Sequence, residues 1–379
     1  MHPDRIQSAL AVIEDNELDA AILFDPAAQF YFLGHDSFAG VNTPQALVLS
    51  PRLKRPRMVI WAADAPMLPG GGDGLDLRLY HFGVDSPARA LADVLDAYFP
   101  SGARFGWDAQ SAALNHALAS DIIATCGIEP VDISDAITAL RAIKTPKEIA
   151  DMRKAGEMVE HGLAALRHFA RAGNSEREVA AEIEKALRTA GSDYWAVPIE
   201  LASGARAHCV HGTPAERILE PGDLLHVEFG AVHNRYHAVG IQSVAVERPA
   251  SPEISHAYET ARRCLAAGLA TARPGLEASE VEAPALDLLR QEGFGDAFAM
   301  RFGYSVGIGY PPTWLEPFGI TRSNHQPIVP GMTLVMHACI LDAPSRLGVL
   351  VGGTYVMDSD GLVCLAGAGD VPLHVTGLC

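Results

Sequence analysis

Residues 222–243 constrain the fold more tightly than any other stretch of the chain. Gly222-Asp223 leads into Leu224-Leu225-His226-Val227-Glu228-Phe229-Gly230, and the chain continues as Arg235-Tyr236-His237-Ala238-Val239-Gly240-Ile241-Gln242-Ser243. The pattern predicts two strands joined as a hairpin, with His226, Glu228 and Gly230 on one face and Leu225, Val227 and Phe229 on the other. A carboxylate between Val227 and Phe229 is hard to explain as packing, because a buried charge is costly unless it is paired. Two readings stay open for Glu228: a functional group, or a charge partner for Arg235 or His237 across the hairpin.

The chain is 379 residues long, which makes two domains the natural expectation. A formal net charge of −17 argues against nucleic acid and anionic membrane surfaces as partners, since both demand basic patches. Cys126, Cys209, Cys264, Cys339, Cys364 and Cys379 show no paired spacing and read as reduced thiols. Met1-His2-Pro3-Asp4-Arg5 lacks a signal-peptide pattern, and no run reaches the roughly 18 apolar residues of a membrane span. A soluble cytoplasmic protein is the expectation.

The first part of the chain alternates helix and strand. Helices are expected over 4–14, 87–98 and 112–126, with strands at 20–24, 46–49, 58–61 and 103–106, as in an α/β domain with a partly parallel sheet. Thr145-Pro146-Lys147-Glu148 is a capping box with proline at the first helical position, so a long helix starts there. Ser175-Glu176-Arg177-Glu178 opens another. Further helices are expected over 252–270 and 278–291, and strands over 333–340 and 354–357. Helices on a mostly antiparallel sheet make the second part an α+β domain, with the boundary placed between 1–140 and 141–379.

Several separated segments then resemble the pita-bread family of aminopeptidase P, prolidase and creatinase. They are Leu140-Arg141-Ala142-Ile143-Lys144-Thr145-Pro146-Lys147-Glu148-Ile149, the loop from Gly204 to His211, Pro221-Gly222-Asp223 and Pro330-Gly331-Met332. The resemblance implies a creatinase-like α/β N-terminal domain, a pita-bread α+β catalytic domain and a homodimer. The metallopeptidases of the family hold two ions with two Asp, one His and two Glu. Those positions fall here on Glu228, Val239, Val306, His337 and near Gly352. Valine and glycine have no ligating side chain, so neither metal nor other cofactor is expected. Creatinase works on a small C–N substrate without metal. Val227-Glu228-Phe229-Gly230, Arg235-Tyr236-His237 and the segment Gly303 to Trp314 are similar to ectoine hydrolases, which open a cyclic amidine at a C–N bond.

Within that resemblance His211 matches the histidine kept over the scissile bond, and an imidazole near neutrality can carry a proton. Glu228 is the second catalytic candidate, as nucleophile or base. His337, Tyr236, His237, Tyr304, Tyr310, Trp314 and Glu316 are candidates for holding substrate: aromatic walls suit a compact cation, and Glu316 suits an amine. Tyr304, Tyr310 and Trp314 fall on what reads as a Gly/Pro-rich segment. His208, Trp195, Glu200 and His35 are weaker candidates, the last because the N-terminal domain reaches the partner's site in creatinase-like dimers. The expected activity is metal-independent hydrolysis of a non-peptide C–N bond in a small polar molecule. The competing readings are an Xaa-Pro dipeptidase with an altered metal site and an inactive pita-bread binding protein.

Overall fold

The computed structural model describes residues 1–295, 297, 300–367 and 371–377. Cys379 lies outside them; Cys126, Cys209, Cys264, Cys339 and Cys364 are free thiols. The chain forms two compact units, Met1–Arg141 and Ala142–Cys379.

The first unit runs α1 (Pro3–Asp15), β1 (Ala20–Leu23), α2 (Pro26–Leu33), β2 (Ala46–Leu49), β3 (Arg57–Trp61), β4 (Asp76–Tyr80), α3 (Pro87–Tyr98), β5 (Phe105–Trp107), α4 (His116–Cys126), β6 (Val131–Asp132) and α5 (Ser134–Ala139). Its sheet has the order β4-β3-β2-β1-β5-β6. β1 pairs antiparallel with β2 and parallel with β5, so the sheet is mixed. Ile22, Val48 and Val59 from the strands meet Leu91, Val94 and Ile122 from the helices in one core. α2, β4, β6 and α5 add to the elements expected from the sequence. α2 begins where the Asp25 side chain accepts from the Ala27 N–H and ends at left-handed Gly34, a start and stop in only eight residues.

The second unit opens with α6 (Pro146–Phe169) and α7 (Glu176–Thr189), each started by the capping box its sequence spells out. Then come β7 (Glu200–Ser203), β8 (Leu224–His233), β9 (Tyr236–Ala245), α8 (Pro252–Thr271), α9 (Ala278–Gln291), β10 (Gly303–Tyr310), β11 (Thr313–Ile320), β12 (Thr333–Asp342), β13 (Leu347–Met357), β14 (Leu362–Ala366) and β15 (His374–Val375). The main path of the sheet is β11-β10-β12-β13-β9-β8-β7, with β14 on β13 and β15 on β9. Segment 303–314 is therefore the β10–β11 hairpin rather than irregular chain, turned at a cis Pro311–Pro312 bond.

Two helix pairs cover one side of this sheet in two clusters. Leu225, Val227 and Phe229 pack with Val159, Leu163 and Ile183 from α6 and α7. Leu334, Met336 and Ile340 pack with Ala261, Leu265 and Val281 from α8 and α9. Alternation sends Glu228 and His337 away from these clusters, and both are found on the open face.

Candidate active site

On that face Glu228, Glu200, His211, Tyr304, Trp314 and His337 line a cleft of about 280 Å³, together with Val197, Met300, Arg301, Pro312, Thr313 and Leu315. A second recess of about 500 Å³ shares Val197, Glu200 and His211 and continues along α7 past Ala180 and Ala181.

Glu228 is 9% exposed on β8. Tyr304 Oη donates to its Oε1 at 2.7 Å, and Trp314 Nε1 donates to Tyr304 Oη at 3.1 Å. Oε2 has no hydrogen-bond partner among the described residues. The indole reaches this position because residue 230 is glycine: a Cβ there would stand 3.0 Å from the Trp314 ring. Burial raises the Glu228 pKa, while the Tyr304 hydroxyl pulls it back toward ionisation. Burial, and then the Glu228 charge, holds the Tyr304 hydroxyl protonated well beyond its usual range.

Glu200 is the direct cross-strand partner of Glu228 in the β7–β8 ladder. Burial first, and Glu228 second, push its pKa up to about 8. The two carboxyls face one cleft and resist ionising together, so at neutral pH the pair retains a proton.

His211 is exposed at the junction of the two recesses. Its loop is fastened at both feet by Glu176, at the start of α7. The fully buried Glu176 carboxylate accepts from the Ser203 N–H (2.9 Å) and Oγ (2.7 Å) and from the Ala215 N–H (2.9 Å), and pairs with Arg206. His208 is half-buried on the same loop, 3.8 Å from Cys209 Sγ.

His337 is 3% exposed on β12 and lies 5.8 Å ring to ring from Tyr304. Burial first, then the neighbouring Arg301 and His211, lower its pKa to about 4, leaving a neutral imidazole.

Four expected substrate contacts are spent elsewhere. Tyr236 Oη donates to Glu148 Oε1 at 2.6 Å, at the head of α6. His237 donates from Nδ1 to the Arg235 carbonyl and accepts at Nε2 from the Ala196 N–H, both at 3.1 Å. Burial and the nearby Arg235 drop its pKa to about 3. Tyr310 stacks under the Arg235 guanidinium, 4.5 Å from the ring centre, with Tyr194 on the same cation at 3.9 Å. Glu316 accepts from Lys144 Nζ at 2.5 Å in an ion pair whose side chains are 1% and 3% exposed. None of the four lines the cleft.

The weaker candidates divide. His35 is 1% exposed and bonds Gln45 Oε1 at 2.9 Å within its own unit. Trp195 stacks under Arg188. Glu200 lines the cleft opposite Glu228. Arg301 also lines the cleft, and its sequence carries no signal of this, since an isolated arginine before a strand has no pattern.

The donor set does not fit a dinuclear metal centre. Val239 is fully buried, and its backbone N–H and carbonyl are both engaged by Thr354 Oγ1, at 2.7 and 3.0 Å. Val306 is fully buried. Gly352 faces His337 in the β12–β13 ladder, where a Cβ would lie 2.6 Å from the Met336 carbonyl oxygen. Among the described residues no group of three His, Cys, Asp or Glu is placed to hold an ion.

Comparison with known proteins places these units in sequence families. Residues 150–359 match metallopeptidase family M24, and residues 5–143 match the creatinase/prolidase N-terminal domain. An uncharacterized peptidase, YqhT, of Bacillus subtilis is 29% identical over 233 residues, 62% of this chain and 64% of that protein. An Xaa-Pro dipeptidase of Pyrococcus furiosus is 31% identical over 176 residues, 46% of this chain and 50% of that protein. The match thus spans half to just under two thirds of the length of these relatives. A recombinant prolidase from Thermococcus sibiricus superposes with a TM-score of 0.89 over 99% of both chains at 22% identity, a likeness of fold.

Proposed function

From the premise that this chain belongs to metallopeptidase family M24, we propose that it is a metal-independent hydrolase cleaving a non-peptide C–N bond of a small polar compound, as ectoine hydrolase and creatinase do. The observation that carries the proposal is the opposed Glu200–Glu228 pair facing one cleft, with Val239, Val306 and Gly352 at the positions where the family's metal ligands fall.

In this reading Glu228, ionised and held by Tyr304, takes a proton from water through its open Oε2. The resulting hydroxide oxygen bonds to the carbon. The C–N bond breaks, and the nitrogen departs with a proton from Glu200 or from His211 at the cleft mouth. Direct attack by Glu228 on carbon is the variant pathway. Single-turnover cleavage in ¹⁸O-water separates them: direct water attack puts ¹⁸O in the product and none in Glu228, whereas attack by Glu228, with water then opening the intermediate at the Glu228 carboxyl carbon, gives an ¹⁶O product and leaves ¹⁸O in Glu228. Arg301, Tyr304 and Trp314 form the cleft wall against substrate. A homodimer in the cytoplasm, without nucleic acid or membrane as partner, completes the proposal. Among the described residues no helix is long and apolar enough to cross a membrane.

The names of the relatives favour a second reading, Xaa-Pro dipeptide hydrolysis at an altered metal site. One experiment separates the two. Cyclic amidines, lactams, creatine and Xaa-Pro dipeptides are incubated with the protein, with chelator and with added manganese, cobalt or zinc, and products are read by mass spectrometry. Chelator-resistant turnover of a non-peptide substrate supports the proposal. Metal-dependent release of proline overturns it in favour of the dipeptidase. Tight binding of a cyclic amidine without conversion overturns it in favour of a binding protein.

A further inference from the structure

The open face of β12 carries a contact that the proposed cleavage has not used. His337 and Cys339 stand two residues apart on one face of the strand, 3% and 2% exposed, and Cys339 Sγ lies 3.3 Å from His337 Nδ1. We propose that Cys339 is a positioning residue, whose S–H donates to His337 Nδ1 and so keeps the ring proton on Nε2, where His337 donates it to the substrate in the cleft.

A thiol–imidazole contact has two hydrogen-bonded forms: S–H donating to Nδ1, or Nδ1–H donating to sulfur. The second would leave the S–H without an acceptor, because Sγ has no other partner among the described residues. The first satisfies both groups. A thiolate–imidazolium pair, the arrangement of nucleophilic cysteines, is disfavoured by the surroundings. Burial, and then Glu228, push the Cys339 thiol well above its usual range, while burial, Arg301 and His211 keep His337 neutral. A neutral imidazole has one ring proton; with Nδ1 accepting, it sits on Nε2.

That proton has a destination. The ring of His337 lines the cleft with Glu228 and Tyr304, and Nε2 has no protein partner among the described residues. Gly352 lies opposite His337 in the ladder, where a Cβ would stand 2.7 Å from the His337 Cβ. The donor is therefore poised for the heteroatom doubly bonded to the attacked carbon, which gains negative charge as water adds and loses it when the C–N bond breaks. No proton need transfer from Nε2. A fixed neutral donor aimed at developing charge stabilises the transition state without reorganising.

The substrate role rests on the proposed cleavage; the tautomer does not, and the test keeps them apart. Long-range ¹H–¹⁵N spectra of histidine-labelled protein, with the His337 signal assigned by its loss in His337→Gln, report the tautomer directly. The expected result is a neutral Nε2–H ring from pH 6 to 8, kept in Cys339→Ser and mixed in Cys339→Ala. An Nδ1–H ring in the parent protein, or an unchanged ring in Cys339→Ala, overturns the positioning role whether or not a substrate is known. With a substrate in hand, Cys339→Ala should lower kcat about tenfold with little change in KM, the size expected when the orienting partner of a functional histidine is lost. Cys339→Ser should recover most of that loss, and His337→Gln should outperform His337→Leu because its amide keeps a donor. Equal kcat in Cys339→Ala and the parent overturns the substrate role and leaves Glu200 and Glu228 untouched.

Discussion

Glu200 and Glu228 are directly opposed on β7 and β8, two carboxyls from neighbouring strands facing one cleft. Their environments differ. Glu228 receives the Tyr304 hydroxyl at 2.7 Å, whereas Glu200 has no hydrogen-bond partner among the described residues. The hydrogen bond favours the charged form at Glu228 and the neutral form falls to Glu200, a division of labour suited to one base and one acid.

The pH–rate profile should show this division. Because Glu200 holds its proton up to about pH 8, kcat/KM should fall as pH rises through that value. Glu200→Gln should lose that limb and, since general acid catalysis contributes on the order of 10²–10⁴-fold, slow turnover by roughly a hundredfold. A descending limb unchanged in the variant would remove Glu200 from the reaction.

The same residue should tilt stability. Its pKa rises from 4.5 in the free residue to about 8 in the fold, so between those values the folded chain holds a proton that the unfolded chain releases. The favourable contribution is complete below 4.5, falls through the window and is gone above 8. Thermal midpoints at pH 5 and pH 9 should therefore differ less in Glu200→Gln than in the parent, with the variant gaining at pH 9. An identical difference in both proteins would contradict the assignment.

Tyr304→Phe removes the donor to Glu228 and the acceptor of the Trp314 indole in one step. Loss of a charge-assisted bond worth about 1.5–3 kcal/mol should reduce turnover ten- to a hundredfold. It should also shift the ascending limb of the pH profile upward, because the Glu228 carboxylate is no longer stabilised. Circular dichroism should show the fold retained.

Lys144→Met should destabilise the second unit by about 3–5 kcal/mol, because Glu316 is then buried without its cation. Adding Glu316→Gln should recover much of the loss. Chemical denaturation of both single variants and the double variant checks this, and full additivity would mean the pair is not coupled. The same experiment decides whether Glu316 is a structural anchor, as its pairing implies, or a substrate contact.

The parts legible in the sequence were those set by local rules. Two capping boxes marked the starts of α6 and α7, and simple alternation put Glu228 opposite Leu225, Val227 and Phe229. Partners far along the chain were not legible. Glu316 reads as a free acid until the fold brings Lys144 to it from 172 residues away. Tyr236 and His237 sit beside the right strand, but the start of α6 and the Ala196 amide claim them. The glycines and prolines of 303–314 lower strand propensity, while pairing with β12 and with each other makes β10 and β11 strands nonetheless. Glu200 gained its weight from register alone, a relation between two strands that no single segment encodes.

The glycine at 352 reaches beyond the histidine it faces. A carboxylate grafted there would need β12 and β13 to separate, since even its first carbon would overlap the Met336 carbonyl. Attempts to engineer an ion-dependent catalyst from this scaffold must therefore rebuild main chain before ligands, and exchanging side chains at 239 and 306 alone will not suffice.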